Sequence, residues 1–213
     1  MKSSFYGISI VLLVSTCCIA LAAPKPAVVQ GPNLWTLKTE FTQPQQIIFK
    51  RASDNKPVRF WYMIITITNN SKRDVDFFPK CELATDTLQI NSAGQGVAST
   101  VFESIKERHK KKYPFLELLG TTDSRILQGE DNARDVAIIW PDFDHDAIKV
   151  NIYIAGLSNE TAEVQYPART NQDEEPKTVF LRKTLELKYN VKGDPASANG
   201  AMLEYKEKSW VMR

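Results

Sequence analysis

Residues 60–68 read FWYMIITIT. This stretch is built from aromatic and β-branched residues and is apolar at odd and even positions alike. A strand with one wet face alternates; this one needs cover on both faces, which makes it the central strand of a layered sheet protein. Asn69-Asn70-Ser71-Lys72 ends it with turn chemistry. Upstream, Trp35, Leu37, Thr39 and Phe41 alternate with polar residues, 46–50 is a second short run, and 54–57 is a turn. Downstream, extended pieces fall at 75–78, 81–90, 115–119, 125–127, 134–140, 148–155, 178–189 and 202–212. In the long 178–189 run, Arg182-Lys183-Thr184 interrupts the inner face marked by Val179, Leu181, Leu185 and Leu187. Residues 99–112 alone carry helical spacing, with Val101, Phe102, Ile105 and His109 on one stripe and Pro114 as the stop. About nine short strands with polar turns and one inserted helix predict a mainly all-β fold, an antiparallel β-sandwich. No helix follows each strand, so a parallel α/β sheet is excluded.

The chain has 213 residues, 43% hydrophobic and 24% charged, values that exclude collagen-like and disordered chains. Its 27 Lys and Arg against 25 Asp and Glu give a formal charge of +2, too small an excess for general binding of nucleic acid. Lys2 precedes an apolar run over 7–22, interrupted by Ser9, Ser15 and Thr16 and ending Ala20-Leu21-Ala22. That is the pattern of a secretory signal peptide cleaved after Ala22, with 23–33 as a flexible lead and 34–213 as a single sandwich domain. The run is shorter than the ~20 residues that span a bilayer. Val14-Ser15-Thr16 fits the lipoprotein pattern poorly, so lipidation at Cys17 or Cys18 is the lesser reading. Cleavage would leave Cys81 without a partner for a disulfide. A core of about 190 residues, burying about 70% of the unfolded surface, must then hold the fold. The expected location is secreted or periplasmic.

Two phrases carry a resemblance. Ile64-Ile65-Thr66-Ile67-Thr68-Asn69-Asn70-Ser71 leads into Val75-Asp76-Phe77-Phe78-Pro79, and Ile126-Leu127-Gln128-Gly129-Glu130 precedes Val136-Ala137-Ile138-Ile139-Trp140. Both resemble the cadence of exported bacterial immunoglobulin-like sandwich domains. Ala155-Gly156-Leu157-Ser158-Asn159 and Leu181-Arg182-Lys183-Thr184-Leu185 look like a narrower group of secreted bacterial proteins of unassigned function. The resemblance spans roughly 34–190 and implies a fold, not a reaction; the helix departs from a plain domain of that type.

The sharpest polar cluster is Asp142-Phe143-Asp144-His145-Asp146. It reads first as a turn between strands. Asp142, Asp144 and Asp146 could instead converge oxygens on Ca²⁺, although the Gly turn and distal Glu of the usual loop are missing. Lys106, Arg108, Lys110, Lys111 and Lys112 could touch an anionic surface, or simply complement the helix C-terminus. Cys81 could be a nucleophile only with His109 or His145, and no nucleophile signature surrounds it. No Gly-x-Ser-x-Gly elbow, phosphate loop or zinc spacing is present, and Glu174-Glu175 sits in a polar stretch beside Pro176. Trp35, Trp61, Trp140 and Trp210 read as core before they read as a sugar platform. Asn69-Asn70-Ser71 and Asn159-Glu160-Thr161 fit the glycosylation pattern, which matters only on a eukaryotic route. The expectation is a non-enzymatic exported module that binds or scaffolds in the cell envelope, without a cofactor. The alternative is a Ca²⁺- or metal-dependent binding module using the acidic loop. Uncovered edge strands would allow a homodimer.

Overall fold

The computed structural model describes residues 27–28, 31, 33–50, 55–121, 124–166, 177–195, 197 and 200–213. Along the chain these form β1 (Ala27–Val28), β2 (Lys38–Phe41), β3 (Gln45–Lys50), β4 (Pro57–Asn69), β5 (Val75–Asp76), β6 (Lys80–Thr85) and β7 (Ile90–Ser92). Helix α1 (Ser99–His109) follows, then β8 (Glu117–Leu118), β9 (Arg125–Ile126), β10 (Gly129–Pro141), β11 (Lys149–Ala155), β12 (Thr161–Tyr166), β13 (Lys177–Gly193) and β14 (Ala201–Met212). The larger sheet runs β1-β12-β13-β11-β6-β7, with β14 also on β13; the smaller runs β2-β4-β10-β8, with β3 also on β4. Strands β5 and β9 form a separate pair. The fold is a mainly antiparallel β-sandwich carrying one helix.

The composition of β4 accounts for the layering. Trp61, Met63, Ile65 and Ile67 face the larger sheet, where they share one core with Val150, Ile152 and Ile154 of β11 and Leu185 and Leu187 of β13. Phe60, Tyr62 and Ile64 face the other way, into a second core with Val101 and Ile105 of α1, Tyr113 and Leu116. The strand is therefore covered on both faces, by a sheet and by a helix. Each fully buried Ile or Met here contributes about 2–3 kcal/mol of transfer free energy.

Several local expectations need correction. The helix ends at His109 rather than Lys112. The His109 carbonyl accepts from both the Lys112 and Tyr113 amides at 2.9 Å, which closes the last turn ahead of Pro114. The 81–90 run is two strands, split where Leu88 adopts φ 67 and the Thr85 amide donates to the Gln89 carbonyl. Strand β12 was not expected, because Glu163 and Gln165 dilute its signal; the pleat still buries Ala162 and Val164. Part of the expected flexible lead is strand β1, paired to the free edge of β12 with Ala27 opposite Glu163. Strand β8 is parallel to β10, unlike the other strand pairs described. The expected signal peptide and Glu174-Glu175 lie outside the described residues. Among the described residues no helix is long and apolar enough to cross a membrane.

The interruption at 182–184 proves to be a change of partner within one continuous strand. Residues 177–182 of β13 pair with β12, whereas 183–193 pair with β14 and 185–190 with β11. Between β11 and β12 the chain loops out over 156–160, and Gly156 turns it there with φ 89.

Candidate functional site

The acidic loop does not gather its carboxylates. Asp142 turns inward: its Oδ1 accepts from Arg59 Nε at 2.9 Å, Trp61 Nε1 at 3.0 Å and the Phe143 amide at 3.1 Å. Its Oδ2 meets His145 Nε2 at 3.1 Å. Asp144 accepts from the Asp146 amide, and its carboxyl is held below the usual range chiefly by a hydrogen bond from Thr87. Among the described residues no group of three or more His, Cys, Asp or Glu side chains is placed to hold a metal ion. The cause is the buried Arg59 guanidinium, which draws Asp142 toward the core, away from Asp144 and Asp146.

The basic residues at the end of α1 stay at the surface, and His109 leaves them for the second core. The fully buried Tyr62 hydroxyl donates to Gln45 Oε1 at 2.9 Å, accepts from Arg108 Nη1 at 3.2 Å and meets His109 Nε2 at 3.0 Å. Burial, with Arg108 and then Lys112 nearby, pushes His109 below the ordinary histidine range. Cys81 is buried in the main core, and desolvation raises its thiol well above the ordinary range, so it is a packing residue. Trp61 and Trp140 are core; Trp35 and Trp210 pack against it half-buried. Both Asn-x-Ser/Thr motifs are spent on local structure. Asn69 is fully buried and donates to the Arg73 and Ile126 carbonyls, and Asn159 donates to Asn33 and accepts from the Trp35 amide.

The feature with ligand-binding geometry lies on the outer face of the larger sheet. Outward positions of adjacent strands supply Lys80 and Glu82 from β6, Tyr153 and Ala155 from β11, and Arg182 and Thr184 from β13. With Phe78 and Arg213 they line a cleft of about 450 Å³. A second cleft, about 460 Å³, shares Phe78 and Arg182 and adds Trp35, Asp76 and the 156–161 turn. Glu82 bridges Lys80 Nζ and Arg213 Nη1, each at 2.8 Å, and the Arg213 guanidinium lies 4.1 Å from the Tyr153 ring centre. The Lys80 hydrogen bond, then desolvation against it and the Arg213 charge, leave Glu82 below the usual carboxylate range. Arg182 is exposed, and its guanidinium has no partner among the described residues. The first cleft thus carries three cations against one carboxylate.

No family model, curated protein or solved structure matches this chain.

The rim of the second cleft is cross-linked by side-chain hydrogen bonds. Thr36 hydrogen-bonds Ser158 Oγ and donates to Glu160 Oε1, which also receives Lys183 Nζ at 2.6 Å. That Lys183 bond, foremost, holds Glu160 below the usual carboxylate range. Glu82 and Glu160 are therefore both kept ionised by a cation, which makes them poor general acids near neutral pH. Phe78, 69% exposed, lines both clefts, and its carbonyl lies close against Gly156. Sequence reading found none of these roles. Period-2 alternation marks Glu82, Tyr153 and Thr184 as outward, but only strand order brings them side by side. The one available signal was the polar break at 182–184.

Proposed function

We propose that this chain is an exported, non-enzymatic binding module of the cell envelope, an immunoglobulin-like β-sandwich whose ligand face is the outer side of the larger sheet. The carrying observation is the guanidinium of Arg182, without a partner among the described residues, on the shared wall of two clefts beside Arg213, Lys80, Tyr153 and Phe78. Guanidinium groups recognise carboxylate or phosphate through forked hydrogen bonds, and aromatic walls add contact area along an extended ligand. The ligand is an extended anionic chain. The carboxylates Glu82 and Glu160, one in each cleft, are each held by a cation, which favours binding over proton transfer.

The test is calorimetric titration with an oligoglutamate peptide. Wild-type binding that falls about tenfold in Arg182→Ala, as for loss of one charge-assisted contact, supports the reading. Absent binding, or binding indifferent to Arg182, overturns it. Export is tested by N-terminal sequencing of the protein from the extracytoplasmic fraction, where Ala23 is the expected first residue.

A further inference from the structure

The turn that follows α1 is a small platform of like charge with one aromatic at its tip. Lys110, Lys111, Lys112, Pro114 and Phe115 are exposed, whereas Tyr113 and Leu116 between and beside them are buried in the second core. Phe115 is 85% exposed. It is not a loosely held residue, because Leu116 N–H donates to the Tyr113 carbonyl at 3.2 Å and Tyr113 N–H to the His109 carbonyl at 2.9 Å. The turn is thus anchored on both sides of a ring that it holds out into solvent.

The charges around that ring are only partly neutralised. Over 106–115 there are five Lys and Arg and one carboxylate, Glu107, which pairs with Lys110. Lys106 lies over the Phe102 ring at 5.8 Å and Lys112 over the Tyr113 ring at 5.0 Å, contacts that leave their charge in place. Arg108 reaches the Tyr62 hydroxyl, and Lys111 has no partner among the described residues. Nearby Glu117 is occupied by Arg134 at 3.3 Å.

We infer that this turn docks the protein onto an anionic lipid bilayer, with Phe115 entering the headgroup region and Lys110, Lys111 and Lys112 resting on the lipid phosphates. An aromatic ring gains by leaving water at the interface, and lysines near an anionic leaflet each gain about 1 kcal/mol, roughly fivefold in affinity. The two terms act on the same surface and add, giving reversible peripheral attachment. The inference uses no residue of the cleft and does not depend on it.

The experiment is sedimentation of the full chain with vesicles of phosphatidylcholine alone or with about one-third phosphatidylglycerol. The lysines are read in the ratio of the two affinities, and Phe115 in the affinity for anionic vesicles, with wild type and variants compared in the same full chain. Wild type should favour the anionic vesicles, with the preference weakened by salt and unaffected by millimolar inorganic phosphate. The triple substitution Lys110→Gln, Lys111→Gln, Lys112→Gln should cut that preference about a hundredfold, and Phe115→Ser should weaken binding to anionic vesicles about tenfold. All four side chains are exposed, so an unchanged thermal midpoint is expected and certifies the fold. No preference for anionic vesicles, a preference that survives the triple substitution, or indifference to Phe115→Ser would overturn the inference.

Discussion

The carboxylate of Asp142 and the guanidinium of Arg59 meet at 2.9 Å, with the arginine side chain 6% exposed and the aspartate 26%. The same guanidinium donates to the carbonyls of Ser197 and Pro195, and the same carboxylate oxygen accepts the Trp61 indole N–H. This pair ties β4, the 142–146 loop and the end of the β13–β14 hairpin into one joint. Asp142→Ala would leave the buried Arg59 cation without its counter-ion and the Trp61 indole N–H without its acceptor. The expected cost is about 2–4 kcal/mol, below the full value for a buried pair because Asp142 is partly wet. Urea unfolding at pH 7 measures it. A change below about 0.5 kcal/mol would show that the pair is a surface ornament.

Gly156 should resist substitution. A Cβ there would lie 2.6 Å from the Phe78 carbonyl oxygen and 2.9 Å from the Pro79 Cα, at φ +89. Gly156→Ala is expected to destabilise by about 1–3 kcal/mol and to displace Phe78 from the clefts. Thermal denaturation and oligoglutamate affinity should both fall; a neutral substitution would mean that the turn relaxes freely.

His109 gives a pH dependence whose sign is fixed by its environment. Its folded pKa lies below the ordinary value of 6.5 because burial and neighbouring cations disfavour the charged ring. The unfolded chain therefore binds the proton more readily. The stabilisation is complete above 6.5 and is lost as pH falls through the folded pKa. Urea midpoints should drop between pH 7.5 and 5.5, and His109→Gln should shrink that drop. An equal drop in the variant would assign the effect elsewhere.

Cys81 should be inert while the fold persists. Its thiol is buried and pushed well above the ordinary range. Iodoacetamide followed by peptide mapping should leave Cys81 unmodified in buffer and fully modified in urea. Rapid labelling of the folded protein would refute a packing role.

What could be read from the chain follows from where the information lies. The two-faced apolarity of residues 60–68 is local, and it correctly placed β4 between two layers. The helical stripe of Val101 and Ile105 is equally local, and both are buried against β4. Strand β12 escaped because Ala162 and Glu163, residues of low strand preference, stand between Thr161 and Val164 and weaken the alternation. The clefts escaped for a different reason. Glu82 and Arg213 are far apart in sequence and become neighbours only through the order β6-β11-β13 and the return of β14. The alternative metal reading of Asp142 rested on its acidic neighbours; its partner, Arg59, lies on β4, far away in sequence.

Strand β13 runs unbroken from Lys177 to Gly193 while its neighbours change from β12 to β14 and β11. A pull on the Lys177 end would travel along a single backbone into the middle of the sandwich. There it would meet rows of antiparallel bonds lying across the line of force, which are sheared and break together instead of unzipping one by one. Tension at that end would reach Arg182 before it reached the core, so stretching the molecule would first act on the residues of the proposed ligand face.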